Sequence, residues 1–307
     1  MADADVLVVC GPTAAGKSSV AMWIAEQRPT TIISADSRQI YRGFDIGTAK
    51  PTVVEQRGVP HRGVDIVDAA ARYSAAAWAD AAGTWIDDAR GQGREALVVG
   101  GTGLYLRALF DGLFEEPALD PVRRAELATT LAAMQTAELR RWVESIDPPR
   151  APLGRAQLLR SIEIALLTGH RLSDLHRLCA RQPRWQARYL VVDPGPALAG
   201  RSVARIDSMF QLGWQNEVIR LTRDIPADAP AWNAAGYGVV RNLAAGEITR
   251  ASAIEQILIE TRQYAKRQRT WFRNQLPSDR VTRVDPLDVN WKSTVERWMF
   301  ESHESPA

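Results

Sequence analysis

The sequence is poor in cysteine and lysine, and it has no long hydrophobic run. Its two cysteines, Cys10 and Cys179, give neither a disulfide framework nor the spacing of a zinc site. Only four of the 38 basic residues are lysine, so arginine is the default cation, and arginine clusters alone are weak evidence for RNA binding. No apolar stretch approaches the length of a membrane span, and no basic-then-apolar leader is present. We therefore expect a cytoplasmic protein without membrane contact.

A glycine-rich stretch follows a short apolar run near the start of the chain. Residues 6–10 are strand-forming, and residues 11–18 have two glycines separated by four residues, followed by Lys17 and Ser18. This spacing is typical of a phosphate loop, because glycine lets the backbone wrap around an anion while amide N–H groups point at it. Lys17 adds positive charge, and a serine in the position of Ser18 is a Mg²⁺ ligand. The sequence thus predicts a phosphate site formed by Gly11, Pro12, Thr13, Ala14, Ala15, Gly16, Lys17 and Ser18.

Short apolar segments alternate with helical patterns over the first 112 residues. Strands are predicted at residues 6–10, 31–34, 61–67 and 96–99. Helices are predicted from 17 to 28 and from 74 to 90, the second with Ser74 as its N-cap. This alternation predicts an α/β fold, with a parallel sheet covered by helices on both faces.

The alternation breaks after Gly112. Residues 117–186 contain no convincing strand, and their apolar spacing predicts helices at 121–134, 136–146, 155–168 and 171–180. A core strand returns at 189–192. We therefore expect a P-loop NTPase-like parallel-sheet core built from residues 1–115 and 187–285, an inserted all-helical domain at 116–186, and a C-terminal tail at 286–307.

A helix in the C-terminal third has a cationic side. It is predicted to begin after Thr249, and its basic residues recur at steps of three and four: Arg262, Lys266, Arg269 and Arg273. Such a stripe beside aromatic residues suits a phosphate backbone or an RNA loop. Residues 155–188 are also rich in arginine, which is equally compatible with a solvated helical face.

Residues at the predicted strand ends indicate what the phosphate site does. Enzymes that hydrolyse or transfer nucleotide phosphates usually have an acidic residue after a strand to hold the metal. The strand at 96–99 ends instead in Gly100-Gly101-Thr102, which offers amides and a hydroxyl. Asp36 is the one obvious carboxylate at the end of an early strand, where it is placed to act as a base. The sequence thus favours a site that holds a polyphosphate as cargo or leaving group.

Several stretches together carry a resemblance to one enzyme family. They are residues 11–18, 36–51 and 100–105, with further matches at 166–169, 205–209 and 263–273. The chain resembles the tRNA dimethylallyltransferases, also called tRNA isopentenyltransferases. The stretch at 36–51 is long and rarely found elsewhere, so it makes the resemblance specific.

The resemblance implies a reaction and a set of site residues. A dimethylallyl group would pass from dimethylallyl diphosphate to N6 of the adenosine next to the tRNA anticodon (position 37), with Mg²⁺. The phosphate loop and Arg205 would bind diphosphate, Asp36 would be the base, and Thr102 would lie near the leaving group and the target base. The implied tRNA-binding residues are Asp36, Ser37, Arg38, Gln39, Thr102, Arg124, Gln157 and Arg160, and the cationic stripe adds Lys266, Arg269 and Arg273. We expect a monomer that acts on the anticodon stem-loop.

The chain departs from the family pattern at RNA-side positions. Residues 151–154 replace the family's His-Pro-Asn-Asp run, and Asn233 and Gly238 stand where the family has arginine. Three other functions stay open on the residues alone: an adenylate isopentenyltransferase acting on free AMP or ADP, a P-loop kinase, and a non-catalytic RNA-binding relative. The first would not need the basic insertion, and the second lacks its carboxylate after the strand at 96–99. The intact phosphate loop, Asp36 and Thr102 count against the third.

Overall fold

The computed structural model describes residues 5–112, 119–178 and 183–300 of the 307-residue chain. The chain divides into two units. One comprises the chain up to Phe110 and from Arg184 onward, and the other is Asp111–Pro183. The first contains a sheet flanked by helices, and the second is helical. Within the described residues, no helix combines the length and apolar character that crossing a membrane requires.

Six strands form one sheet in the α/β unit. They are β1 (Val6–Cys10), β2 (Thr30–Ala35), β3 (His61–Arg62), β4 (Glu95–Gly100), β5 (Ala187–Val192) and β6 (Val281–Val284). Their order is β3-β2-β4-β1-β5-β6, and every pairing is parallel. Parallel strands end at the same edge of a sheet, and at this edge Cys10 pairs with Gly100 and Val191. The predicted α/β class with a parallel sheet is confirmed.

Thirteen α-helices are described along the chain. They are α1 (Lys17–Gln27), α2 (Val53–Gly58), α3 (Ala75–Gly91), α4 (Gly103–Arg107), α5 (Pro121–Ala132), α6 (Thr136–Ile146), α7 (Arg155–Thr168), α8 (Leu172–Leu178), α9 (Leu198–Gln211), α10 (Trp214–Asp224), α11 (Tyr237–Ala244), α12 (Arg250–Gln275) and α13 (Trp291–Phe300). The predicted N-caps are confirmed, because the side chains of Ser74 and Thr249 accept hydrogen bonds from backbone amides of the first turns of α3 and α12.

Helices bury both faces of the sheet, as the run of apolar residues in β1 requires. Side chains alternate between the faces of a strand, so β1 contributes to two separate cores. Val6, Val8 and Cys10 pack in a core with Trp78 of α3, and Leu7 and Val9 pack in a core with Ile24 of α1. The end of β1 is therefore held from both sides, which makes it a rigid base for the loop that follows.

Two parts of the strand prediction are wrong. The third strand spans only His61–Arg62 rather than 61–67, because positive φ angles at Gly63 and Asp65 turn the backbone out of the extended conformation. Beyond this point Val67 forms only an isolated bridge with Tyr41. The prediction also missed β6, an edge strand in which Val284 alone is fully buried, so the sequence has little apolar signal there.

The helical unit has its own small core. Residues from α5, α6 and α7 form it together with Ala151: Leu131, Leu139, Val143, Leu158 and Ile162. The helices predicted at 136–146 and 155–168 have these bounds in the structure, and α8 is described over Leu172–Leu178, while the last two residues of the helix predicted at 171–180 lie outside the described residues. Cys179 lies outside the described residues, whereas Cys10 is a buried free thiol whose pKa burial raises to about 12. Cys10 is therefore an unreactive core residue.

Candidate active site

The phosphate loop connects the end of β1 to the first turn of α1. Gly11 has a φ of 142° and Gly16 one of 102°, and a Cβ on Gly11 would lie 2.2 Å from the carbonyl oxygen of Val192. Ala14, between them, also has a positive φ of 62°. Only glycine tolerates the backbone conformations at Gly11 and Gly16. Alternating backbone conformations of this kind gather amide N–H groups into an anion-binding concavity.

Lys17 contributes the cation of this loop. Its ammonium group donates a hydrogen bond of 2.8 Å to the carbonyl oxygen of Pro12, so the side chain folds back over the loop. Burial lowers the pKa of Lys17 to about 8, while the nearby Asp36 carboxylate acts in the opposite direction and Arg205 lowers it further. A lysine buried beside another cation is stabilised by an anion, which is what a phosphate ligand supplies.

Helix α9 places two arginines against the loop, one helical turn apart. Arg205 donates from Nη1 to the Thr13 hydroxyl at 3.1 Å, and Arg201 donates from Nε to the carbonyl oxygen of Ala14 at 2.9 Å. Burial lowers the pKa of Arg205, and the Asp36 carboxylate opposes this shift. Arg205 was predicted as a diphosphate ligand, but Arg201 was missed. The signal that would have found Arg201 is the i, i+4 spacing to Arg205 on an amphipathic helix.

Asp36 and Thr102 follow β2 and β4, neighbouring strands that end at the edge where the phosphate loop lies. An oxygen of the Asp36 side chain accepts a hydrogen bond from the Arg38 amide at 2.8 Å, and the Thr102 hydroxyl accepts one from the Ser37 amide at 3.0 Å. The second of these contacts joins the two turns. The predicted pair of catalytic residues is thus held on adjacent turns, and the Asp36 carboxylate lies close enough to affect the pKa of Lys17 and of Arg205.

Helix α12 crosses this edge and contacts both turns from its buried side. The Gln268 side chain accepts a hydrogen bond from the Thr13 amide at 2.8 Å and donates one to the Gly101 carbonyl oxygen at 2.9 Å. The Tyr264 hydroxyl lies beside Thr102, and burial raises the pKa of Tyr264 to about 12. Neither residue was singled out as part of the site, because a glutamine or a tyrosine on a helix has no catalytic spacing. The available signal was that Tyr264 and Gln268 are four positions apart on the buried side of α12.

Two concave spaces open beside these residues. The first, which we call the loop pocket, has a volume of about 880 Å³, and its lining includes Gly16, Lys17, Ser18, Arg201 and Arg205. The second, the inner cavity, has a volume of about 420 Å³, and its lining includes Thr13, Asp36, Arg205 and Tyr264. Arg205 and Met209 line both spaces, so the phosphate loop and Asp36 face a common boundary.

The inner cavity is polar at one side and apolar at the other. Its apolar wall consists of Ile206, Met209, Trp214, Trp232 and Ile257. Asn233 and Gly238, the two positions at which the sequence departs from the resembled family, also line this cavity. A Cβ on Gly238 would meet no heavy atom within 4 Å, so the glycine leaves open space.

The predicted RNA-binding residues of the α/β unit differ in exposure and in their partners. The side chains of Arg262, Lys266 and Arg273 on α12 are exposed, and no ion-pair partner for them occurs in the described part of the chain. Arg269 belongs to the same stripe but is half-buried, and it binds the Asp193 carboxylate at 2.8 Å and the Gly195 carbonyl oxygen at 2.7 Å. Gln39 donates to the carbonyl oxygens of residues 48 and 49.

The predicted RNA-binding residues of the helical unit lie on α5 and α7. Arg124 and Arg160 both form ion pairs with the Glu163 carboxylate, so the two arginines converge on one acidic residue. Gln157 is exposed one turn before Ser161, whose hydroxyl donates to its backbone carbonyl oxygen. Gln157 and Arg160 thus lie about one turn apart on α7, and Arg124 reaches the Glu163 of α7 from α5.

Family models match most of the chain. A model described as IPP transferase matches residues 39–275, and one described as isopentenyl transferase matches residues 4–62. A tRNA dimethylallyltransferase of Gloeobacter violaceus is 41% identical, with 97% of each chain covered. One from Halorhodospira halophila is 39% identical over 95% of this chain and 97% of the relative.

Solved structures agree with this assignment. A tRNA isopentenylpyrophosphate transferase of Bacillus halodurans superposes with a TM-score of 0.66 at 31% identity, covering 96% of this chain and 95% of that one. A eukaryotic dimethylallyltransferase acting on tRNA superposes with a TM-score of 0.79 at 24% identity, covering 96% and 77%, and shows the shared fold. The predicted P-loop NTPase-like core is confirmed, and the chain belongs to the tRNA dimethylallyltransferase family of prenyltransferases.

Proposed function

We propose that this chain transfers a dimethylallyl group from dimethylallyl diphosphate to N6 of the adenosine next to the anticodon, position 37, of tRNAs. The observation that carries the proposal is the shared boundary of the two spaces at Arg205. On one side lie the amides, Lys17 and Ser18 of a phosphate loop, and on the other lies a cavity with the Asp36 carboxylate. A diphosphate donor and a base acceptor that enter from the two sides meet at this point.

The residues at the boundary suit the two halves of the reaction. As the allylic C–O bond breaks, its electron pair passes to the diphosphate, whose growing charge is stabilised by the loop amides, Lys17 and Arg205. The adenine N6 forms the new C–N bond and loses one proton to the Asp36 carboxylate. Thr102 and Tyr264, which lie beside each other, border the acceptor side and offer hydroxyl groups to orient the base.

The chemistry of the donor set fits Mg²⁺ that is bound together with the diphosphate. Among the described residues, no group of three or more His, Cys, Asp or Glu side chains is arranged to hold a metal ion. The Ser18 hydroxyl is exposed and lines the loop pocket next to Lys17. Because Mg²⁺ usually takes one or two protein oxygens and completes its shell with water and substrate phosphates, Ser18 would hold it here. When bound, the ion supplies additional neutralisation of diphosphate charge.

The acceptor is proposed to be tRNA rather than free AMP or ADP. The exposed Arg262, Lys266 and Arg273 carry positive charge that no described acidic residue neutralises, which suits an extended phosphate backbone. A loop adenosine is also cheap to flip out of its stack into a cavity. The relatives named above are tRNA dimethylallyltransferases, which favours the same acceptor. Residues 116–186 are proposed to grip the anticodon arm.

One assay tests the proposed reaction directly. The purified protein is incubated with labelled dimethylallyl diphosphate and Mg²⁺, and is given tRNA, AMP, ADP or no acceptor. We expect label in tRNA at the adenosine beside the anticodon and none in the free nucleotides. Label in AMP with none in tRNA would assign the chain to the adenylate isopentenyltransferases. Release of dimethylallyl alcohol without an acceptor would mean that the site does not protect its donor from water.

The lowered pKa of Lys17 predicts a pH dependence of donor binding. Because the free protein holds this pKa at about 8, the lysine loses its charge as the pH rises through that value, and the neutral amine attracts diphosphate weakly. Pyrophosphate affinity, measured by calorimetry with Mg²⁺, should therefore be about tenfold lower at pH 9 than at pH 7. A Lys17→Arg variant keeps its charge over this range and is the control. An equal loss in the variant would place the titrating group elsewhere.

The departures at Asn233 and Gly238 predict altered RNA selection. Contacts to phosphates set RNA affinity and its salt dependence, whereas contacts to bases set selection. Without the two arginines, tRNA affinity at low salt should be ordinary, while each missing base contact relaxes discrimination by about 1–3 kcal/mol. The measurement is the prenylation rate of anticodon stem-loops varied around the target adenosine, at two salt concentrations. Rates that fall steeply for every single-base change would contradict this prediction.

A further inference from the structure

Helix α9 presents two arginines to the phosphate loop, and the proposed reaction uses only Arg205. We propose that Arg201 binds the terminal phosphate of the donor and makes the site select a diphosphate over a monophosphate. This inference rests on the proposed function of the loop pocket as a donor site. It adds a specificity residue that lies 187 residues from the loop in sequence.

The position of the Arg201 guanidinium supports a direct role in anion binding. Its Nε donates to the Ala14 carbonyl oxygen, and its Nη2 lies 3.0 Å from the point at which a Cβ of Gly16 would stand. The group therefore covers the last residue of the loop before Lys17. A guanidinium has five N–H donors, of which the Ala14 contact uses one. No carboxylate in the described ranges forms an ion pair with Arg201.

The two arginines face different parts of the site. Arg205 lines both the loop pocket and the inner cavity and lies close to Asp36, so it belongs to the reacting end of the donor. Arg201 lines the loop pocket but not the inner cavity. The two positions are one helical turn apart, about 6 Å along the axis of α9. A donor whose α-phosphate lies at Arg205 thus presents its terminal phosphate to Arg201.

Arg201 also makes a structural contact, because its bond to the Ala14 carbonyl oxygen supports a residue in the left-handed conformation. The two roles predict different ligand profiles. A loop that lost its support would bind every phosphate ligand less well, and the protein would melt at a lower temperature. The loss of a terminal-phosphate contact weakens binding of the diphosphate alone, since a monophosphate makes no such contact.

The test measures binding of dimethylallyl diphosphate and of dimethylallyl monophosphate by calorimetry with Mg²⁺. Arg201→Ala should lower the affinity for the diphosphate by roughly 10- to 100-fold and leave the affinity for the monophosphate unchanged, as expected for loss of charge-assisted hydrogen bonds. The diphosphate affinity of Arg201→Lys should lie between those of the wild type and Arg201→Ala, because an ammonium lacks the planar fork of donors. Arg223→Ala on α10, an exposed arginine outside the site, is the matched control and should bind both ligands like the wild type.

Each other outcome overturns the inference in a recognisable way. Unchanged diphosphate affinity in Arg201→Ala would show that Arg201 does not touch the donor. Equal losses for both ligands, with a lowered Tm, would show that it only supports Ala14. A wild-type protein that bound neither ligand would overturn the proposed donor site itself, and the inference with it.

Discussion

Replacing Asp36 with Asn should slow the chemical step by about 10²–10⁴-fold, the range expected for a positioned general base. The amide cannot take up the proton that adenine N6 releases, whereas its oxygen can still accept the hydrogen bond from the Arg38 amide. The local structure and both substrate affinities should therefore be retained. Single-turnover kinetics with saturating tRNA and dimethylallyl diphosphate measure the step directly.

Two further variants make the Asp36 result interpretable. Arg205→Ala should weaken diphosphate binding and raise the donor KM, because it removes a cation from the boundary of the two spaces. Asp88→Asn on α3 removes an exposed carboxylate outside the site and should leave the single-turnover rate unchanged. An Asp36→Asn enzyme with the wild-type single-turnover rate would assign the base to another group.

Replacing Lys17 with Ala should weaken donor binding by about 10²–10³-fold, the usual cost of removing one partner from a desolvated charge pair. Activity should be lost in proportion at donor concentrations near the wild-type KM. The fold should be retained, because among the described residues the Lys17 ammonium donates a hydrogen bond only to the Pro12 carbonyl oxygen of its own loop. Equilibrium binding of dimethylallyl diphosphate and the thermal unfolding curve are the two measurements.

A second lysine provides the control for this variant. Lys292 lies on α13 above the rings of Trp23 and Trp291, away from the residues that line the two spaces. Lys292→Ala should leave donor affinity unchanged even if it lowers the Tm slightly. Normal turnover and an unchanged donor KM in Lys17→Ala would refute the phosphate site. ATP should compete only weakly with the donor and should not be hydrolysed at a catalytic rate.

Much of the geometry of the proposed donor site could be predicted because its residues are close together in sequence. Gly11 and Gly16 have positive φ angles, which glycine adopts readily, so the residue types themselves indicate the turn. Lys17 is the next residue after Gly16. Asp36 and Thr102 are farther apart, but each directly follows a strand. Since parallel strands end at one edge, their proximity followed from the predicted fold class. Family resemblance then supplied Arg205, which lies 192 residues from Thr13.

The contacts that support the loop were not predictable in this way. Arg201 and Gln268 reach the loop from α9 and α12, and the hydrogen bond from the Thr13 amide to Gln268 spans 255 residues of sequence. Helical periodicity could identify the buried side of α12, but not which polar residue on that side meets Gly101. That contact depends on the position and orientation of α12 on the sheet, which are fixed by packing over the entire core.

The sequence by itself thus determined which group follows each of three strands: a phosphate loop follows β1, a carboxylate follows β2 and a hydroxyl follows β4. It also determined the family, because these residues stand at fixed spacings along the chain. Only the tertiary structure decided that Arg201 and Gln268 support the loop and that Arg205 and Met209 join two spaces. It also decided that Arg269 binds Asp193, unlike the exposed Lys266 and Arg273. The reason is that backbone conformation and strand direction are short-range properties, whereas the partner of a helix side chain depends on packing over the whole core.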